Sequence, residues 1–354
     1  MGDTTSPTFL NGSFTLALGG DPNNTTSDAA ATESQHFKSS TLTASNFHGR
    51  IITASSDFVF ASKHNKTDVV NGEITVFKDN KDDPQTYTEV QNITAPTQYV
   101  PSSLHSDICW GTSMAVDNNY LVIGASNHKG NINSTNYNYT GGIAIYKKDN
   151  NADTWTLQQW IEGPSEGTNR FFGFAVAMSN GYIATTMYNV GASINKTTCN
   201  SLAHYGVYIY KKDENAETWT LKDRIKNPPN NIDDNTNWPN FFGECLEMHG
   251  KWLAISSRRR RNNITYSGTW NSSSMNDINH EIGSVFLYKL DTTYSSHYTL
   301  KREIMPTGKE PAFSAVTQGE PAGKHIQSAY RSHYNGFAYR DFGCNISLFK
   351  NTIA

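Results

Sequence analysis

Charge is scarce in this 354-residue chain: Asp, Glu, Lys and Arg together make up 17%, and the formal net charge is -3. With a pI near 6.4 it lacks the basic footprint that nucleic acid or an anionic lipid surface demands, so no nucleic-acid partner is expected. Cysteine is scarce too. Cys109, Cys199, Cys245 and Cys344 stand far apart with no CxxC pair, which argues against a zinc knuckle or a disulfide-dense scaffold. No apolar run approaches the roughly 18 residues of a membrane span, and residues 1–14 show no basic stretch followed by an apolar one. Neither a span nor a signal peptide is expected. Also missing are the GxSxG, HExxH, P-loop and GxGxxG patterns, and the 11 histidines do not gather with acids or cysteines at ligand spacing. These absences predict a protein that binds rather than catalyses and needs no cofactor.

What the chain does have is Asn, Ser, Thr and aromatic residues, a composition that favours turns and extended chain over helix. It also repeats itself. One copy reads Trp110-Gly111 through Val116, then Tyr120-Leu121-Val122-Ile123-Gly124, then Gly142-Ile143-Ala144-Ile145-Tyr146-Lys147-Lys148-Asp149, then Thr154-Trp155-Thr156-Leu157. The next reads Phe172-Gly173 through Met178, Tyr182 through Thr185, Gly206 through Asp213, and Thr218-Trp219-Thr220-Leu221; a third runs from Phe242-Gly243 to Tyr298-Thr299-Leu300. A weaker copy begins at Gly49 and ends near Tyr87, so that Gly49, Gly111, Gly173 and Gly243 recur at 62, 62 and 70 residues. A degenerate fifth copy occupies His325–Tyr330, Gly336–Tyr339 and Cys344–Lys350.

Each copy reads as four strands, A to D, except the fifth, which stops three strands in, with the two-residue period of half-buried extended chain. A single small sheet cannot bury both faces, and radial stacking removes the open ends. The prediction is an all-β chain: a β-propeller of four-stranded antiparallel blades. Five blades are the first expectation and six or seven the alternatives, with ring closure by an N-terminal strand at Ser13–Leu18. The expected organisation is an N-terminal segment with that strand at 1–20, a polar linker at 21–46, and a propeller at 47–350, with units near 47–93, 108–161, 171–225, 241–304 and 311–350. Trp155 and Trp219, with Tyr87 and Tyr298 as counterparts, recur at one position and are assigned to packing between blades.

Phe-Gly before a small-apolar strand, then Tyr-Leu-Val-Ile-Gly-Ala, then Gly-x-Val-Tyr-Ile-Tyr resembles the FG-GAP repeat of integrin-α-like propellers over most of residues 47–350. The resemblance implies a recognition or adhesion module, at a cell surface, outside the cell or on a particle. That sits awkwardly beside the missing signal peptide. The family's calcium loop between the first two strands is absent, since Asp117-Asn118-Asn119, Ser179-Asn180-Gly181 and His249-Gly250-Lys251 read as hairpin turns. Acidic spacing occurs instead between strands C and D, at Asp149, Asn151 and Asp153, at Asp213, Asn215 and Glu217, and from Asp79 to Asp83. These read as solvated turns, with calcium ligation as the alternative.

Strand order places the B–C and D–A connections at one end of every sheet, and these are the long ones. They carry Tyr137, Tyr139, His204, Tyr266 and Trp270 among Asn and Ser, a mixture suited to stacking on sugars, to contacting a protein, or to tucking the loops onto the rim. Arg258, Arg259, Arg260 and Arg261 form the strongest local charge feature; such a run grips sulfate, phosphate or carboxylate, or simply lies solvated. The leading reading is a non-enzymatic recognition propeller for a glycan or protein ligand. A subunit of a larger assembly, such as a virion or surface layer, comes second. An enzyme with a site shared between blades comes third.

Overall fold

Among the described residues the chain forms strands and no helix; the inner strands are buried along most of their length rather than on alternate residues as expected, because a neighbouring sheet or segment covers each face. The computed structural model describes residues 46–65, 72–81, 86–99, 109–127, 140–164, 170–189, 205–228, 241–257, 283–292, 297–304, 346, 348–349 and 352–353. The first sheet comprises β1 (Asn46–Ala54), β2 (Phe58–Asn65), β3 (Glu73–Asp79) and β4 (Tyr87–Thr94). The second comprises β5 (Trp110–Asp117), β6 (Tyr120–Ala125), β7 (Gly142–Lys148) and β8 (Trp155–Glu162). The third holds β9 (Arg170–Ser179), β10 (Tyr182–Asn189), β11 (Tyr205–Lys212) and β12 (Trp219–Lys226), and the fourth holds β13 (Phe242–His249), β14 (Trp252–Ser257), β15 (Ser284–Asp291) and β16 (His297–Ile304). Each is an antiparallel meander in chain order. A short hairpin, β17 (Leu348–Phe349) with β18 (Thr352–Ile353), follows.

Successive sheets stack through their first strands, β1 against β5, β5 against β9 and β9 against β13, with β17 against β13. Apolar side chains therefore gather between sheets. The first seam buries Phe60, Ile74, Val76, Trp110, Leu121, Ile123 and Trp155; the second buries Val122, Ile143, Ile145, Phe172, Ile183, Tyr208 and Trp219. The third buries Ala184, Val207, Ile209, Phe242, Leu253, Ile255, Phe286 and Tyr298. Beyond the fourth sheet, Ile346 and Leu348 pack against Ala254 and Val285. Among the described residues the stack is not closed into a ring. Most of the expected fifth unit, the strand expected at Ser13–Leu18 and the linker lie outside the described residues.

The recurring glycine is explained by backbone geometry. Gly111, Gly173 and Gly243 take φ of 76°, 83° and 86°, which a side chain adopts only with strain. They sit at bulges of strand A, pressed on the preceding sheet, and a Cβ on Gly173 would lie 2.3 Å from the Gly142 carbonyl oxygen. The aromatic just before each glycine, Trp110, Phe172 or Phe242, is fully buried and meets a strand-C ring edge-on: Tyr146 at 6.3 Å, Tyr208 at 5.7 Å and Phe286 at 5.6 Å.

One alignment of the repeats needs correction. Matching Gly72, Gly142, Gly206 and Gly283 equates Lys78 with Lys148. Across the C–D ladders, however, Lys78, Lys147, Lys211 and Lys289 each face a threonine, at Thr88, Thr156, Thr220 and Thr299. The first and fourth sheets are therefore offset by one residue from that alignment, since Gly72 and Gly283 stand level with Gly141 and Tyr205 rather than with Gly142 and Gly206.

Candidate functional site

The two ends of the sheets differ. At one end, strands A and B of the second, third and fourth sheets join by residues 118–119, 180–181 and 250–251, with Asn118, Asn180, Gly181 and Gly250 at positive φ as tight turns require. At the other, strands B and C of the same sheets are separated by residues 126–141, 190–204 and 258–283. The candidate ligand residues Tyr137, Tyr139, His204, Arg258, Arg259, Arg260, Arg261, Tyr266 and Trp270 all belong to these long connections, and all lie outside the described residues.

The short-turn end is described in full at the second seam, and its constellation repeats in the described residues of the first and third. Phe58, Tyr120 and Tyr182 open strand B of the first three sheets; each meets an aromatic of the next sheet's strand D edge-on, at 5.8 Å to Trp155, 4.8 Å to Trp219 and 6.0 Å to Tyr298. Lys148 and Lys212 lie 5.5 Å and 4.9 Å over the Phe58 and Tyr120 rings. Gln91 accepts the Trp155 backbone N–H at 2.7 Å and donates to its carbonyl at 2.9 Å, and Gln159 does the same to Trp219 at 2.7 and 3.0 Å. A carboxamide holds one donor and one acceptor at the spacing of a peptide unit, so glutamine clips the outer strand of the next sheet. At the third seam the equivalent residue is Asp223, whose carboxylate meets His297 Nδ1 at 2.9 Å.

Further contacts recur. The Asp117 carboxylate accepts the Asn180 N–H at 2.6 Å, and the Ser179 hydroxyl accepts that of Gly250 at 3.0 Å, so the last residue of strand A caps the next sheet's A–B turn. Ser113 Oγ donates to the Gly173 carbonyl at 2.8 Å, and Thr186 Oγ1 donates to that of Gly243. The indole N–H of Trp155 and Trp219 and the Tyr298 hydroxyl are buried without a hydrogen-bond partner among the described residues. Burying about 200 Å² of ring gives about 5 kcal/mol, against about 1–3 kcal/mol for a missing hydrogen bond. Packing wins, and these rings serve the seams.

The acidic turns are tied into the same seams. Asp149 accepts the Asn151 N–H at 2.7 Å. Asp213 accepts from Asn215 at 2.8 Å and Ala216 at 3.0 Å, and these backbone donors, Ala216 first, hold its carboxyl below the usual carboxylate range. Asp153 pairs with Lys78 of the preceding sheet at 2.6 Å. Glu217 pairs likewise with Lys147 and also accepts from the Tyr120 hydroxyl at 3.2 Å; the Lys147 bond lowers the Glu217 pKa and raises that of the lysine. Among the described residues no three His, Cys, Asp or Glu side chains gather as a metal-binding group.

Sequence reasoning missed Tyr99 and Trp160. Tyr99 follows strand D of the first sheet, Trp160 lies near the end of β8, and their rings stack 5.3 Å apart at 8°. Both stand toward the long-connection end, and Tyr99 is 39% exposed. The signal was faint, since Trp160 follows the repeated tryptophan at a position where the other copies hold no aromatic. Glu247 was missed too. It alternates along β13 with buried Leu246 and Met248, and burial raises its carboxyl to about 7.

No family model matches this chain, and no curated protein does. Among solved structures it is similar to two putative 6-phosphogluconolactonases, from Bacteroides fragilis (TM-score 0.34, 12% identity, covering 74% of this chain and 72% of that one) and Bacteroides uniformis (0.32, 7%, 72% and 70%). It is also similar to a functionally unknown protein from Desulfotomaculum acetoxidans (0.29, 11%, 72% and 68%). Likenesses this shallow carry neither a fold nor an activity across to the chain.

Proposed function

We propose that the four sheets are consecutive blades of a closed five-bladed β-propeller, and that the ring is a recognition module whose ligand binds at the long-connection end. The supporting observation is the contrast between the ends. Short A–B and C–D turns and interlocked side chains occupy one, while insertions of the kind that carry function in rigid scaffolds occupy the other. Arg258 to Arg261 follow directly in sequence on Ser257, the last residue of β14. Guanidinium groups suit sulfate, phosphate or carboxylate groups, and the Tyr99–Trp160 stack with Tyr137, Tyr139, Tyr266 and Trp270 suits sugar faces. The ligand class proposed is an anionic glycan.

A glycan array probed with the wild-type chain and with Arg258 to Arg261 all changed to Ser tests this. Selective binding to sulfated or carboxylated glycans that falls about tenfold or more in the variant is expected, as about 1.4 kcal/mol of lost contact implies. Binding equal in the two proteins, or none to any glycan, contradicts it.

A further inference from the structure

The three seams differ at the long-connection end, on one rung between strands B and C: Ala125–Gly142 in the second sheet, Met187–Gly206 in the third and Ser257–Ser284 in the fourth. All six residues are buried, and Ala125 and Met187 lie in the first and second seams. Ser257 and Ser284 alternate with Ile255 and Phe286, which face the third seam, and so face it too. In the first seam the Trp160 ring covers the rung, so that a Cβ on Gly142 would stand 2.4 Å from it. In the second, Met187 fills the place and its sulfur accepts the Tyr208 hydroxyl at 3.7 Å. The third has neither: Glu303 stands at the ladder position of Trp160, Phe286 at that of Tyr208 and Ser257 at that of Met187.

The facing side of the third seam is polar as well. Buried Asn227 follows β12 at the place that Ala95 and Gly163 hold after β4 and β8. The second seam shows what that place meets. A Cβ on Gly163 would lie 2.7 Å from the Phe172 Cβ, and Phe172 shares a rung with Met187. The corresponding rung of the fourth sheet is Phe242–Ser257, which sets Asn227 against Ser257. Ser284 Oγ, fully buried on the same face, has no hydrogen-bond partner among the described residues. A hydroxyl taken out of water is normally met by a polar group.

We infer that Asn227, Ser257, Ser284 and Glu303 form a subsite for the hydroxyl groups of a sugar ring, entered from the long-connection end. Two serine hydroxyls, a carboxamide and a carboxylate offer donors and acceptors but no cation. That set suits neutral neighbouring hydroxyls and disfavours a sulfate or carboxylate, which the arginines would take instead. Ser257 directly precedes Arg258, so the neutral and the charged subsite adjoin in the chain. The inference rests on the glycan reading of this end and names the part of the ligand that the third seam reads. A site that hydrogen-bonds a hydroxyl rejects the epimer lacking it there, because its own buried polar groups are then left unpaired.

The test uses the full chain on an array of sulfated and carboxylated glycans, arranged in pairs of equal charge that differ in the configuration of one hydroxyl. Ser284→Ala should keep or raise the melting temperature, since it deletes a buried hydroxyl without a partner, yet weaken the preferred member of a pair about tenfold. Asn227→Ala, Ser257→Ala and Ser284→Ala together, small residues like those of the first seam, should abolish the preference. Changing Arg258 to Arg261 to Ser should weaken both members of a pair alike. A preference unchanged in the Asn227 and Ser variants, with binding still lost in the Arg variant, overturns the subsite and leaves the anionic-glycan reading standing. A lower melting temperature for Ser284→Ala with unchanged preference makes that hydroxyl structural and also overturns it. A wild-type chain that binds no glycan removes both.

Discussion

The second and third seams bury comparable apolar clusters yet use different polar chemistry. Between the second and third sheets, Gln159 clips the Trp219 backbone, Lys147 and Tyr120 share the Glu217 carboxylate, and Ser113 of strand A reaches the Gly173 carbonyl. Between the third and fourth, the clip becomes the Asp223–His297 contact, Tyr298 replaces tryptophan, and the hydroxyl on the glycine carbonyl comes from strand B, through Thr186. Gly124 shows why the source can move. A Cβ there would stand 2.1 Å from Ser113 Oγ, so strand A can supply the hydroxyl only where strand B has no side chain. The place to be filled persists while the residue that fills it drifts.

The comparison can be broken most directly at the rings. Trp219→Ala should cost about 3–5 kcal/mol by opening a cavity at the second seam. Denaturant titration should show this with an unchanged slope if the sheets unfold together, and a second transition would mean that they do not. Next is the clip: Gln159→Leu leaves the Trp219 N–H and carbonyl unsatisfied and should cost about 1–3 kcal/mol. Asp223→Leu should cost less, because His297 is 47% exposed and can turn to water. Equal losses would make the two contacts equivalent.

The pH dependence separates the seams further. Glu247 is raised to about 7 by burial, so the folded chain holds its proton more tightly than the unfolded one. Its contribution is complete below the ordinary glutamate range near 4.5 and is lost as pH rises through about 7. Glu247→Gln should flatten the fall in melting temperature between those values. Glu217 has the opposite sign: lowered by Lys147, it stabilises above the ordinary range and loses that effect as pH falls, so Glu217→Gln should blunt the acid limb alone. The smallest effect expected is that of Lys147→Ala, a half-buried ion pair whose contribution should shrink in molar salt.

The four-stranded repeat was legible because strand alternation and the aromatic-glycine step are local signals, and positive φ admits little but glycine at Gly111, Gly173 and Gly243. Trp155 and Trp219 could be placed between sheets for the same reason, since a recurring ring answers a recurring space. Gln91 and Gln159 could not. A glutamine on an outer strand looks like a solvated residue until the next sheet's backbone is seen beside it. Asp153 and Glu217 looked like turn acids for the same reason, since their lysines lie a whole repeat earlier in the chain. The ligand end was legible only as loop length and composition, because loops lack the periodicity that makes strands readable.

The central claim is that one seam geometry, repeated, closes into a ring. A crystal structure of the full chain tests it most directly. The account predicts a fifth four-stranded sheet between the fourth and the first, with Ile52 buried beneath it. An open arc of four sheets with Ile52 facing solvent would contradict it.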